Sequence, residues 1–402
     1  MILTGASTER SRPAIRERWL FVDGAAEMGG HEVMLLRWIE ELRLQGRVQP
    51  VLLCRSGSRL AARSHGFSSS IELAPVRRAA HPAGWFALGL RALRDAWHFM
   101  RAIGVERPAL CIVAEGCLLA QPVFAFVARV TGQRVAVYVP LLEPSAHLGF
   151  RHGRWRDAFV RRIYANLPHA WVTITSTQAQ NFATWAHVRR PVFNLPNTVA
   201  RNIDDIARAG AAGEVRLDPY DWPRLRVLVL GRIEAHQKGL DHLVDYLTTH
   251  ESLGRSMTVT FVGEGPYESE LRRRIANTPA MSEWVAVEPW GNPVDVLKRH
   301  DVLLIPSRYE GVPLVMLEAM AIGVAVVATD LPGTNSFLPE QCLFPVDELE
   351  RCFDIIATLA DSRIRRQVVW RNLATYNLRA SAHAFSDSVR TLTADLRSHA
   401  CS

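Results

Sequence analysis

The sequence predicts an α/β protein made of two doubly wound parallel sheets that face each other across a cleft. Three observations carry that expectation. Short apolar runs alternate with amphipathic segments along almost the whole chain, the pattern of parallel strands covered by helices on both faces. The alternation halts once, in a segment rich in Asp, Gly and Pro that contains DPYDWPR, and then restarts. The chain has 402 residues, more than one hydrophobic core usually supports, so two domains are expected.

Residues 1–16 read as a loose tail, since they reach polar and charged residues by Thr8 and have no apolar segment of the signal-peptide kind. A first Rossmann-like domain is expected over 17–200. Its strands are placed at Trp19–Asp23, Pro50–Cys54, Ile71–Leu73, Ala109–Ala114, Arg134–Val139, Ala170–Ile174 and Val192–Leu195. Between the first two lies a helical pattern, Glu32–Gln45, with Val33, Leu36 and Ile39 on one face. Residues 201–224 read as the linker. The second domain, 225–379, repeats the plan with strands at Arg226–Leu230, Thr258–Val262, Trp284–Val287, Val302–Ile305 and Val324–Ala328. From Gly311 to Thr329 the only charged residue is Glu318, and the length reaches that of a membrane span. Gly323 divides this stretch, and the β-branched run after it suits a buried strand, so it reads as helix then strand. Helical patterns at Leu349–Asp361, Ile364–Asn377 and Ala384–His399 close the chain.

An apolar fraction of 48% with 22% charged residues excludes disorder and a collagen-like repeat. The six cysteines are scattered without a CxxC pair or zinc spacing, which suits a reduced, cytoplasmic chain without structural metal. Residues 1–200 hold 25 Arg against 13 Asp and Glu, a balance of +12, whereas the rest of the chain is net acidic. A basic first half suits an anionic partner. Lysine occurs only at 238 and 298, so its placement carries information.

In doubly wound sheets, ligands sit beyond the carboxyl ends of the strands, so the loops there are searched first. RVLVLGRIEAHQKGL places Arg232 just after a buried strand and Lys238 just before a helix, where two cations can converge on an anion. The alternative is a pair of solvated surface charges. In VGEGPYESEL the third glycine of a dinucleotide fingerprint is replaced by Glu268, so Gly263 and Gly265 point to a tight turn or a close ligand backbone contact. In SRYEGVPLVMLEAM, Pro313 opens a helix, Glu310 and Gly311 precede it, and Glu318 follows in its second turn. Amides of Gly311, Val312 and Leu314 would face the cleft. Glu318, in so apolar a helix, needs partners, either paired ligand hydroxyls or internal donors. Gly29 and Gly30 follow the first strand and would let backbone approach a phosphate.

These pieces, in this order, resemble the retaining glycosyltransferase family 4, whose fold is GT-B. The resemblance extends over nearly all the chain beyond the tail and is strongest from Arg226 to Leu338. It implies that Arg232 and Lys238 hold a donor diphosphate. It also implies that Glu310 and Glu318 form an E-x7-E motif, the first toward the donor sugar and the second on the ribose hydroxyls. Gly29 and Gly30 then face the diphosphate from the first domain. The VGEGP turn, with Gly263, and the PNTV segment from Pro196 to Val199 fit the same pattern, and the last helix, 380–402, would cross back to the first domain. Asn335 stands where many members carry Glu. The His that often follows a central strand has no clear match, which leaves Glu115 and His147 as candidates for acceptor or sugar contact.

The implied reaction moves a sugar from a nucleotide diphosphate to a hydroxyl with retention, onto a lipid-linked or cell-surface glycan precursor. No D-x-D motif occurs in the sequence, so neither metal nor cofactor is expected. The rival readings are a GT-B epimerase or phosphorylase, disfavoured by the E-x7-E placement, and a non-catalytic nucleotide-sugar or nucleic-acid binding module. The basic residues are dispersed without a recognition motif, so no nucleic-acid partner is expected. Two stretches join arginines to apolar residues: Val76–Gly104, with Arg77, Arg78, Arg91, Arg94, Arg101, Trp97 and Phe99, and His147–Tyr164, with Arg151, Arg154, Trp155, Arg156, Arg161 and Arg162. They suggest either amphipathic helices packed on a sheet or peripheral attachment to an anionic surface, the inner face of a membrane.

Overall fold

The computed structural model describes residues 17–25, 29–64, 70–73, 85–210 and 224–399. The expected tail, Arg77 and Arg78 lie outside those residues, as does most of the Asp/Gly/Pro-rich segment.

The first sheet has seven strands: β1 (Glu17–Asp23), β2 (Val48–Arg55), β3 (Ser70–Leu73), β4 (Leu110–Ala114), β5 (Val135–Tyr138), β6 (Ala170–Thr173) and β7 (Val192–Asn194). Their order is β3-β2-β1-β4-β5-β6-β7. The second has six: β8 (Leu225–Leu230), β9 (Met257–Val262), β10 (Val285–Glu288), β11 (Val302–Ile305), β12 (Ala325–Thr329) and β13 (Leu343–Phe344), ordered β10-β9-β8-β11-β12-β13. Every pairing is parallel; Trp19 sits opposite Pro50 and Leu110, and Val302 opposite Val227. Each sheet reverses its winding once, between β1 and β4 and between β8 and β11, and there the crevice for a ligand opens. The expected strands are all found, with ends moved by a residue or two. β13 was not expected, because two residues are too few to show a period.

Helix Gly30–Gln45 buries Met34, Leu35, Trp38, Ile39 and Leu42. This corrects the expected face: Val33 and Leu36 are only half-buried. The run VMLL is apolar all round, so its period is ambiguous, and the large Trp38 indole selects the face by packing edge-on to Phe21 and Tyr138, with ring centroids 5.3 and 5.8 Å away. The apolar stretch in the second domain is a helix, Leu314–Ile322, ended by Gly323 at φ 88°, followed by β12. Among the described residues no helix is long and apolar enough to cross a membrane.

The expected linker, 201–224, begins with a helix, Arg201–Ala209, which its Asp, Gly and Pro content did not suggest. Its Asp204 is buried and accepts hydrogen bonds from the Tyr376 hydroxyl (2.8 Å) and the Ala382 amide (2.9 Å). Those donors lie 172 and 178 residues away, so the local sequence hid the reason for the helix. Close by, the Thr198 hydroxyl donates to the Ala380 carbonyl (2.7 Å), binding the two chain crossings together. Helix Ser362–Arg379 precedes the second crossing, and helix Ala382–Ser398 follows it and lies on the first domain. There Gln45 Nε2 donates to Ser386 O (2.9 Å) and Arg134 Nη2 to Leu396 O (3.0 Å).

Candidate functional site

In the second domain, β8 ends at a turn whose shape is set by backbone crowding. Gly239, at φ 65°, lies so close to Pro306 that a Cβ would fall 2.1 Å from that carbonyl oxygen. Gly263 packs against Gly231 O at 1.8 Å on the same measure, so its demand for glycine comes from the protein's own backbone. Glu234 accepts the Gln237 amide (2.6 Å) and closes the turn. The result presents Lys238 to Glu310, whose carboxylate pairs with the ammonium and also accepts the Ser307 hydroxyl (3.0 Å). Arg232 is exposed at the rim and donates to Gln237 Oε1 (3.0 Å). Leu230, Gly231, Arg232, Lys238, Ser307 and Pro313 line a pocket beside the β8/β11 switch point.

The loop above helix Leu314–Ile322 is pressed between two others. A Cβ on Gly333 would fall 1.4 Å from Gly311 O, and one on Gly311 would meet Ile174 Cδ1 and Pro140 O at 2.8 Å. The second contact crosses to the first domain. Asn197, in the PNTV segment, adds another crossing by donating to Val312 O (2.8 Å). Helix-start amides such as that of Leu314 have no intrahelical partner and are free for an anion. Glu318, 9% exposed, has no hydrogen bond to a side chain or loop among the described residues; burial lifts its carboxyl to about 7, and the facing Arg37 guanidinium opposes that rise. Arg37 belongs to the first domain's helix Gly30–Gln45 and donates to Thr198 O. Sequence reasoning missed Arg37; only proximity in the fold reveals it.

From the first domain, Gly29 and Gly30 begin that helix, and a Cβ on Gly30 would lie 3.7 Å from Leu314 Cδ1. The glycine loop and the helix start of the second domain therefore meet. Beside them Asp23, His31 and Glu32 come together, the one group among the described residues with the donor types and spacing to hold a metal ion. None of the three was expected from sequence.

The two acceptor candidates differ in their surroundings. Glu115 is fully buried, accepts the Tyr164 hydroxyl (2.7 Å) and the Gln121 amide (3.3 Å), and is pushed up to about 7 by burial against the pull of those bonds. Enclosed in this way, it offers no surface to an acceptor, which corrects that expectation. His147 is exposed and 3.8 Å from Glu143. Asn335 is also exposed and donates to Asp330 (2.9 Å). Trp290 is half exposed and takes no part in the core.

Residues 224–362 match the family model described as glycosyl transferases group 1. The lipopolysaccharide core biosynthesis mannosyltransferase LpsB of Rhizobium meliloti is 28% identical over 232 residues, 54% of this chain and 60% of that protein. The phosphatidyl-myo-inositol mannosyltransferase of Mycobacterium tuberculosis is 30% identical over 157 residues, 38% of this chain and 39% of that protein. The chain thus spans less than two thirds of either relative. Among solved structures, Anabaena HepE in complex with UDP-glucose superposes with a TM-score of 0.70 at 15% identity, covering 94% of this chain and 100% of that one. The fold is therefore GT-B, and it is residues 224–362, in its second domain, that match the group 1 glycosyl transferases.

Proposed function

We propose that the protein is a retaining glycosyltransferase that moves a hexose from a nucleoside diphosphate to a hydroxyl of a lipid-linked or cell-surface glycan precursor. The observation that carries the reading is the Lys238–Glu310 pair beside Ser307 at the β8/β11 switch point, with Glu318 in the second turn of the adjoining helix. In the absence of donor, the cation and the carboxylate satisfy each other. A bound diphosphate takes over Lys238, which frees Glu310 for the hydroxyls of the transferring sugar, while Glu318 accepts the ribose hydroxyls. Gly29, Gly30 and the amides of Gly311, Val312 and Leu314 approach the phosphates closely.

As the bond to the anomeric carbon breaks, negative charge builds on the departing diphosphate. Arg232, Lys238 and the helix-start amides meet that charge. At an effective dielectric near 20, two unit charges ~4 Å apart interact by about 4 kcal/mol. Loss of one cation is thus expected to slow turnover roughly a hundredfold or more. The group 1 domain match and the mannosyltransferase relatives support sugar transfer, and the HepE complex supports a nucleotide-sugar donor. The relatives' names and the basic, apolar surface of the first domain support the acceptor reading.

The test is a thermal-stabilisation screen with nucleoside diphosphate hexoses, followed by turnover with the hit. Lys238→Ala and Glu318→Ala are each expected to weaken donor binding or turnover in folded protein. Near-normal kinetics in both variants would sink the assignment.

A further inference from the structure

The chain that leaves β1 and the chain that enters helix Gly30–Gln45 are held at their two ends by buried carboxylates. Asp23, 0% exposed, uses Oδ1 to accept the Ala25 amide (2.8 Å) and the Gln121 side-chain amide (3.1 Å). Glu32, 2% exposed, reaches back with Oε2 to the Gly29 amide (2.7 Å). The His31 imidazole lies between them, with Nε2 3.5 Å from Asp23 Oδ2 and Nδ1 3.0 Å from Glu32 Oε2. Two carboxylates buried side by side are strongly destabilising unless a cation joins them.

The ring is also fixed from a third side. It packs on Gly116, just after β4, where a Cβ would stand 3.1 Å from His31 Cε1. On the other flank Gly30 meets Leu314. His31 therefore sits next to the place where the first domain's Gly30 meets the helix start of the second domain. Nδ1 is taken up by Glu32, whereas Nε2, 3.5 Å from Asp23 Oδ2, makes no hydrogen bond, and the ring's effect passes through the backbone that Glu32 ties.

We propose that His31 is a positioning residue for donor binding: by bridging Asp23 and Glu32 it locks the backbone at Gly29 and Gly30 in the form that receives the donor diphosphate. The inference rests on the proposed nucleotide-sugar site and deepens it.

The experiment measures binding of UDP-glucose and GDP-mannose, and the kinetics with whichever the wild type uses, for His31→Ala, His31→Lys and Gly116→Ala, with melting temperature alongside. His31→Ala is expected to raise donor Kd and KM about tenfold or more while kcat and acceptor KM change little, and His31→Lys is expected to recover much of the loss by restoring a cation. Gly116→Ala keeps every charge but crowds the ring, and it should weaken donor binding severalfold with little change in melting temperature. Should His31→Ala fail to fold, Gly116→Ala decides, and unchanged donor binding in it overturns the proposal. Donor binding by folded His31→Ala within twofold of wild type overturns it too, and leaves the functional reading standing. Failure of the wild type to bind either nucleotide sugar removes the functional reading and the inference together. A divalent metal retained through dialysis by the wild type and lost from His31→Ala would make the cluster a metal site and overturn the ionic bridge.

Discussion

Glu115 and Glu318 are both acids that burial lifts to about 7, yet their surroundings give them different consequences. Glu115 is enclosed by Tyr164 and backbone amides, and its Oε2 has no hydrogen-bond partner. An acid whose folded value is raised binds protons more tightly in the folded state. The stability it allows therefore falls as pH rises from its unfolded value near 4.5 to about 7, and is flat above that. For Glu115 that fall is of the order of 3 kcal/mol. Glu115→Gln, which keeps the shape and removes the charge, should flatten the pH dependence of chemical denaturation midpoints between those limits. An unchanged slope would mean that Glu115 does not titrate there. Glu318 contributes a fall of the same sign, but its neighbour Arg37 and the open side of the cleft give it a second outlet. In the proposed reading donor hydroxyls bind its carboxylate, so donor affinity should rise with pH toward about 7 in the wild type and lose that dependence in Glu318→Gln. Titration calorimetry across the range checks this.

At the scale of elements, two glycines, one in a turn and one in a helix, should respond in opposite ways. Gly333 follows β12 and lies against the loop that positions Gly311 and Val312; its Cβ would stand 1.4 Å from Gly311 O, so backbone must move to admit it. Gly333→Ala is expected to lower stability by roughly 1–3 kcal/mol and to weaken donor binding with it, because the displaced loop carries the helix start. Gly104 lies in helix Trp85–Glu106 with nothing within 4 Å of an added Cβ. Gly104→Ala should stabilise by about 0.5–1 kcal/mol and leave donor binding alone. Denaturant midpoints with parallel binding measurements separate the two outcomes. The same helix shows how an amphipathic pattern divides in space: Phe99 is fully buried, whereas Leu93 and Trp97 are exposed beside Arg94 and Arg101. Helix Gly153–Arg162 likewise exposes Trp155 with Arg154, Arg161 and Arg162. Arg156 leaves the set of surface cations that the sequence suggested, because it turns inward to Leu118 O (3.0 Å) and Ser145 Oγ (3.3 Å).

For the whole molecule, the net charge of +7 is concentrated in the first half, the half that presents those exposed tryptophans. Rings at a lipid boundary with cations at anionic headgroups would give reversible attachment, each basic residue contributing ~1 kcal/mol. Sedimentation with phosphatidylglycerol vesicles is expected to carry the protein down at low salt and release it at high salt. Replacing Trp155 and Arg154 together by serine should reduce that recovery, and equal recovery with neutral and anionic vesicles would refute the attachment. The donor diphosphate in this reading is neutralised by Arg232, Lys238 and backbone amides, so chelator should leave most turnover intact. Rescue of an EDTA-treated, inactive enzyme by magnesium or manganese would contradict that.

Strand positions were legible from sequence because a buried parallel strand needs only its own run of apolar residues, as at Val302–Ile305, whatever its neighbours are. The loops holding Lys238 and Glu310, and the helix start before Glu318, could be placed for a related reason: in doubly wound sheets, ligands sit where strands end, and those ends could be read locally. Everything that depended on a distant partner was not legible. Helix Arg201–Ala209 exists where the sequence suggested a connector because Tyr376 and Ala382 satisfy Asp204. Glu115 follows a strand as a ligand-facing residue should, yet Tyr164, 49 residues on, seals it inside. His31 reads as an ordinary residue after two glycines until the fold sets Asp23 and Glu32 at its two nitrogens. Periodicity and composition act over a few residues, so the sequence by itself determined the two sheets and the loops that matter. Charge pairing and burial act through space, so only the tertiary structure decided which groups in those loops are paired, sealed or free to meet a ligand.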